Sequence, residues 1–239
     1  METPAWVMPS FEISTYLLSA VLILVERDRL SDYHIDKVAL AIFILGKPLE
    51  LLLCEYQIPF QWPERSSWYL LYIPIALGLL ISIGITDPKL MKVKASRWQW
   101  IIGGVLVGIA LGAFFGILVR LQMEQVRGHR LTSVLLIFLP VQQVIYAGIA
   151  EEPLFRGFLW GALRRAGWKE IWIWLLQGGL FWLAHLYYLG QAPLSFWVIV
   201  PVAGLVLGLL VWRSRSVGAS MVAHGFGNGV GQIIAYYHI

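Results

Sequence analysis

The sequence predicts an all-α, polytopic membrane protein with about eight transmembrane helices. Hydrophobic residues make up 59% of the 239 residues, and charged residues make up only 13%. Soluble domains are about 45–50% apolar and about 25% charged. The mean hydropathy is +0.71, and so few charged side chains cannot cover the surface of a soluble fold of this size. Lipid is therefore the expected solvent for much of the surface.

Apolar blocks of transmembrane length predict where the helices lie. A spanning helix needs about 20 mostly apolar residues. The blocks near that length are 11–25, 38–53, 68–86, 98–119, 134–163, 171–189, 195–212 and 217–237. The first is short and the second contains Lys47, Pro48 and Glu50, so both are expected to be tilted, interfacial or shielded by protein. The fifth helix is expected to start after Pro140, with residues 131–140 forming a separate turn.

The distribution of basic residues predicts the orientation. The connections that hold 12 of the 18 Lys and Arg residues are 26–37, 87–97, 164–170 and 213–216; those that hold four are 54–67, 120–130 and 190–194. Cytoplasmic loops are enriched in these residues, so the richer set is expected in the cytoplasm. The formal net charge of +4 then needs no nucleic-acid partner, because the basic residues are dispersed rather than clustered.

Ionisable residues inside the fifth block indicate a site at membrane depth. Glu151, Glu152 and Arg156 interrupt an apolar run, and each costs about 2.5–3.5 kcal/mol at the bilayer centre on insertion scales. Glu152 and Arg156 are four residues apart, which favours a structural ion pair. Glu151 points about 100° away from Glu152. A buried carboxylate of this kind is typical of a general base.

Two later blocks add polar groups at a similar depth. His185 ends the segment Phe181 to His185 in the sixth block, and His224 and Asn228 share one face of the eighth. A lone intramembrane histidine often only bonds two helices together. At 1.5 Å per residue, however, these three side chains and Glu151 can meet near the middle of the bilayer. The sequence therefore predicts a buried intramembrane catalytic site.

These motifs resemble those of the CPBP family, also called Abi or CAAX-protease-like proteins. The family pattern Glu-Glu-x-x-x-Arg is similar to Glu151, Glu152 and Arg156. Phe-x-x-x-His is similar to Phe181 and His185, and His-x-x-x-Asn is similar to the pair on the eighth block. The resemblance covers roughly residues 134–232.

The resemblance implies an intramembrane endopeptidase whose catalytic core is 131–239, after N-terminal transmembrane helices in 1–130, together forming one membrane domain. The implied catalytic residues are Glu151, His185, His224 and Asn228, and the implied supporting residues are Glu152, Arg156 and Phe181. In this mechanism the first glutamate activates water and the first histidine assists. The second histidine and the asparagine then stabilise the oxyanion. Expected partners are the bilayer and a membrane-anchored or lipidated peptide, including prenylated CAAX-type chains, in a prokaryotic cell membrane.

Other chemistries remain open. Zinc held by Glu151, His185 and His224 would give a three-ligand catalytic site. The chain lacks a His-Glu-x-x-His helix, so a reaction that requires no cofactor is the first choice. Two alternatives are not enzymes: a proton-coupled transporter, and a catalytically silent scaffold or immunity protein. Water and peptide are expected to enter from the cytoplasmic side between the fifth, sixth and eighth blocks, although the sequence alone does not choose the side.

Overall fold

The computed structural model describes residues 7–55, 93–122, 129–130 and 132–238. The predicted third block, 68–86, lies outside the described residues. The described residues are almost entirely helical, with one pair of two-residue strands, and this confirms the predicted all-α class. Three of the described helices are long and apolar enough to cross a bilayer, at Trp98–Gln122, Leu135–Arg165 and Ser195–Ser214. The chain is an integral membrane protein, and eight spans remain a prediction.

The helices occupy the predicted blocks. The α-helices in chain order are α1 (Val7–Val25), α2 (Lys37–Glu55), α3 (Trp98–Gln122), α4 (Ser133–Gln143), α5 (Ile149–Glu152), α6 (Trp160–Arg165), α7 (Glu170–Ala184), α8 (Val200–Ser214) and α9 (Val217–Tyr236). The π-helical turns are Val144–Gly148, Pro153–Leu159 and Ser195–Ile199, and the 3-10 turns are Arg27–Tyr33 and Leu186–Tyr188. Strands β1 (His129–Arg130) and β2 (Tyr237–His238) pair in parallel.

The fifth block forms one helix broken by two π-helical turns, and its predicted start after Pro140 is wrong. Helix α4 begins at Ser133 and continues through Pro140. A β-carbon added to Gly229 of α9 would lie 2.5 Å from the Cα atom of Pro140. The two backbones therefore pack tightly against each other at this point. This packing depends on a residue 89 positions away, so the local sequence signal of the proline could not reveal it.

A stripe of glycines on α3 positions α9. A β-carbon added to any of these glycines would lie 2.5–2.8 Å from a carbonyl oxygen of α9. The α3 glycines are Gly104, Gly108, Gly112 and Gly116, and the facing α9 residues are Ala219, Ala223, Gly227 and Gly231. Small residues at this spacing allow two membrane helices to approach at backbone distance. The stripe thus fixes the helix that carries His224 and Asn228.

The basic connections meet at one end of the helix bundle. We call the described residues 26–37, 93–97, 164–170 and 213–216 the basic end. The Lys37 backbone N–H donates to the Lys94 carbonyl over 3.2 Å. The Asp36 carboxylate accepts from the Val38 and Gly218 N–H groups, over 2.9 and 3.3 Å. Asp36 therefore caps both α2 and α9.

A buried ion pair joins α1 to α2. Lys47 is only 1% exposed and donates to the Glu12 carboxylate. Of the options predicted for the second block, the structure shows shielding by protein at this lysine. The Glu50 side chain lies outside the described residues. A cation at this depth is accommodated because its charge is paired rather than exposed to lipid.

Candidate active site

Glu152 lies on α5 and is fully buried with its carboxylate satisfied. Its Oε1 atom is 3.1 Å from Arg156 Nη1, so the predicted ion pair is present. The same oxygen lies 2.8 Å from His224 Nδ1, and Ser220 donates its hydroxyl to Oε2. Several hydrogen bonds and one cation compensate the burial of this carboxylate. Nothing in the sequence indicated Ser220, because a small polar residue on a membrane helix is common.

Arg156 connects this carboxylate to two further helices. Its Nη2 atom donates to the Gly204 carbonyl of α8 over 3.3 Å. Its guanidinium carbon lies 3.8 Å from the centre of the Phe181 ring of α7. A ring face at this distance stabilises a desolvated cation. The structure thus places Phe181 in direct contact with Arg156, and the supporting role implied by the resemblance stays a prediction.

Glu151 is buried to 9% exposure and faces a cavity instead. Its Oε2 atom lies 3.8 Å from His185 Nε2 and has no hydrogen-bond partner among the described residues. His185 follows the last residue of α7, and its Nδ1 lies 2.8 Å from the Phe181 carbonyl. A carbonyl only accepts, so Nδ1 carries a proton, and Nε2 is an acceptor whenever the ring is neutral. With a neutral His185 ring, two acceptors therefore face each other beside the cavity.

His224 and Asn228 reach the same cavity from α9. Because the Glu152 carboxylate accepts from His224 Nδ1, that nitrogen also carries a proton. Asn228 donates from Nδ2 to Gln143 Oε1 over 3.4 Å. Glu151, His185, His224 and Asn228 all line the cavity, as their common predicted depth suggested. The structure ties His224 to Glu152 rather than to Glu151.

The cavity has a volume of about 410 Å³. Its further polar lining, which the sequence analysis did not identify, comprises Gln143, Tyr146, Tyr187, Tyr188, Ser195, Gln232 and Tyr236. Gln232 and Tyr236 continue the four-residue spacing of His224 and Asn228, and this spacing was a usable signal. Tyr188 stacks on the His185 ring with centroids 5.8 Å apart.

The predicted zinc ligands do not form a metal site within the described part of the chain. No group of three His, Cys, Asp or Glu side chains there is arranged to hold a metal ion. The Nδ1 atom of His224 is already bonded to Glu152. The described side chains therefore do not fit a three-ligand zinc site. A reaction that requires no cofactor stays a prediction.

The fold and the cavity are those of a membrane protein with a buried pair of glutamate and histidine side chains. Comparison with known protein families adds a resemblance for one segment of the chain. Residues 132–230 match the model of the family described as Type II CAAX prenyl endopeptidase Rce1-like. This match confirms the resemblance to CAAX-protease-like proteins over this segment. The match covers less than half of the chain and includes all four predicted catalytic residues. Comparisons with curated proteins and with solved structures found no match.

Proposed function

We propose that the chain is an intramembrane endopeptidase that cleaves membrane-anchored or lipidated polypeptides, with Glu151 as the general base. The observation that carries the proposal is the pair formed by Glu151 and His185, which both line the cavity, with Glu151 Oε2 3.8 Å from His185 Nε2. When the His185 ring is neutral, neither of these two atoms can donate a hydrogen bond to the other. A water molecule has two protons to donate and can satisfy both. The pair is therefore suited to bind and orient the attacking water.

The reaction follows from this arrangement. The water oxygen attacks the carbonyl carbon of the scissile peptide bond while Glu151 takes a proton. The same proton then passes to the leaving nitrogen as the C–N bond breaks. His185 holds the water and is itself held by the Phe181 carbonyl. The lining residue Asn228 has an amide N–H that can donate to the developing oxyanion.

His224 would assist at the oxyanion through its second nitrogen. Its Nδ1 atom is bonded to the Glu152 carboxylate, which orients the ring. A proton on Nε2 then provides a second donor to the oxyanion. In this scheme Glu152, Arg156 and Phe181 position His224 and α5, and none of them touches the reacting atoms.

The proposed substrates follow from the position of the site. A catalytic centre among lipid-embedded helices is of use for chains that are themselves held in the bilayer, by a lipid or by a transmembrane helix. We therefore propose prenylated CAAX-type or other lipid-anchored peptides as substrates of a multi-pass enzyme in a prokaryotic cell membrane.

Purified protein in detergent, incubated with fluorogenic peptides, tests this proposal. The parent is expected to cleave, and Glu151→Ala is expected not to. Glu26→Gln, which changes a carboxylate at the basic end, is the matched control and should cleave like the parent. An added chelator should leave turnover unchanged. Proton-coupled flux without cleavage would instead favour the transporter, and neither activity would favour a scaffold.

A further inference from the structure

The active-site cavity extends toward one end of the bundle. Its lining on α3 runs from Leu111 to Val119, in the C-terminal half of that helix. Its lining on α9 runs from Ala223 to Tyr236, and Ser195 adds the start of the π-helical turn before α8. These segments approach the end opposite the basic end. Among the described residues, none from the basic end lines the cavity.

A polar path follows α9 from the catalytic residues to that opposite end. His224, Asn228, Gln232 and Tyr236 are spaced four residues apart and all line the cavity. At 1.5 Å per residue they extend over about 18 Å along one helical face. Polar side chains at membrane depth are typical of a water-filled route. Water can therefore reach Glu151 along α9 from its C-terminal end.

The described residues between Glu151 and the basic end are closely packed. The side chains there that are wholly buried include Glu152, Arg156, Trp160, Ile173, Val217 and Ser220. The Trp160 indole donates to Glu170 over 2.7 Å at the basic end itself. Within the described part of the chain, this buried layer lies between the basic end and the catalytic residues.

The basic end is the cytoplasmic end by the distribution of Lys and Arg, since it holds 10 of the 18 residues of these types, against four in the connections 54–67, 120–130 and 190–194. We propose that water and substrate reach Glu151 from the extracytoplasmic side. The substrates are then extracytoplasmic segments of membrane-anchored polypeptides. This route is opposite to the cytoplasmic entry that the sequence suggested. The substrate part of the inference rests on the proposed function, whereas the entry side does not.

Thiol labelling in oriented membranes tests the entry side. In a Cys54→Ser background, Ser195→Cys and Gln232→Cys place a thiol on the cavity wall, and Ser31→Cys places one at the exposed basic end. A membrane-impermeant maleimide is added to right-side-out and to inverted vesicles. The two cavity variants should be labelled only in right-side-out vesicles. The Ser31→Cys variant should be labelled only in inverted vesicles.

Each other labelling pattern overturns the inference. Cavity variants labelled only in inverted vesicles would show cytoplasmic entry. Labelling of Ser31→Cys from outside would show that the bundle has the reverse orientation. Cavity variants that are labelled from neither side would show that the cavity is closed to water.

A second assay tests the substrate part. Single-span reporter proteins carry the same cleavable peptide next to the bilayer, on either the cytoplasmic or the extracytoplasmic side. Only the extracytoplasmic display should be cleaved, and Glu151→Gln should abolish that cleavage. Cleavage of the cytoplasmic display would overturn the inference. If neither display is cleaved and the labelling is as expected, the substrate part is overturned together with the proposed function, and the entry side stands.

Discussion

Glu151 and Glu152 are adjacent in the sequence but lie in opposite environments. Glu152 is wholly buried and bonded to Arg156, Ser220 and His224. Glu151 faces the cavity, and its Oε2 atom has no donor among the described residues. Successive helical residues point about 100° apart, so one carboxylate meets neighbouring helices and the other meets the cavity.

This difference separates a carboxylate that stabilises the helix packing from a carboxylate that can take part in the reaction. We call the contacts of Glu152 and Arg156 the anchored side, and Glu151 with His185 the open side. A buried polar group with all its bonds made rigidifies its surroundings. A polar group left with a free acceptor can bind water or substrate. The comparison therefore predicts that changes on the open side cost activity, while changes on the anchored side also cost stability.

The largest expected effect is on the open side. His185→Ala should lower proteolysis by about 10²- to 10⁴-fold, because it removes the second acceptor for the attacking water. Its melting temperature in detergent should stay close to that of the parent. Peptide turnover and thermal unfolding, measured on one preparation, check both halves. A large loss of stability in this variant would place His185 on the anchored side.

On the anchored side, Arg156→Ala should lower the free energy of unfolding by about 3–5 kcal/mol, because it leaves Glu152 buried without its cation. Activity should fall as well. Arg165→Ala is the matched control, since that arginine is 41% exposed and pairs with Glu26 at 3.4 Å. It should cost only about 0–1 kcal/mol. Equal melting temperatures for Arg156→Ala and the parent would mean that the buried pair contributes nothing.

The glycine stripe on α3 tests how far the position of α9 depends on close helix packing. Gly108→Ala should destabilise by about 1–3 kcal/mol through overpacking, since its new β-carbon would lie 2.5 Å from the Ala223 carbonyl oxygen, beside His224. Gly103→Ala is the control, because a β-carbon there has no neighbour within 4 Å among the described residues. Thermal unfolding of the two variants should differ. Identical unfolding curves would mean that α3 and α9 can separate freely.

An effect of similar size lies at the basic end and depends on pH. Burial, with Arg164 and Arg215 nearby, lowers the pKa of His34 from 6.5 to about 3. Its Nε2 atom accepts from both arginines. Below pH 6.5 the unfolded chain binds a proton at His34 that the folded chain does not. Stability is therefore lost as the pH falls, by about 2 kcal/mol between pH 7 and pH 5.

Substitution isolates this contribution. His34→Gln keeps an acceptor for the arginines and removes the titration. The difference in unfolding free energy between parent and variant should change with pH in this window. A difference that is constant from pH 7 to pH 5 would contradict the account.

The sequence predicted where the helices lie, but it did not predict which helices contact each other. Apolar length identified seven blocks that are helical among the described residues. Composition does not say which helix a residue touches. The pairing of Lys47 with Glu12, and of the α3 glycines with α9, therefore could not be predicted. The π-helical turns beside α5 were missed for a similar reason, since they depend on tertiary packing rather than local propensity.

Part of the site was also predictable. Spacing identified the ionisable residues at membrane depth, and the Glu152 to Arg156 pair is present as predicted. Tyr187 and Tyr188 line the cavity but gave no signal, because aromatic residues near a helix end are also typical of a membrane interface. The direction of the cavity depends on how the helix ends pack together. No single segment of the sequence carries that information.

The central claim is that Glu151 and not Glu152 activates the water. The most direct measurement compares peptide turnover and melting temperature for Glu151→Gln and Glu152→Gln, which both remove one charge at nearly constant shape. We expect Glu151→Gln to abolish turnover with an unchanged melting temperature. Glu152→Gln should lower the melting temperature. Turnover by Glu151→Gln equal to that of the parent would contradict the account.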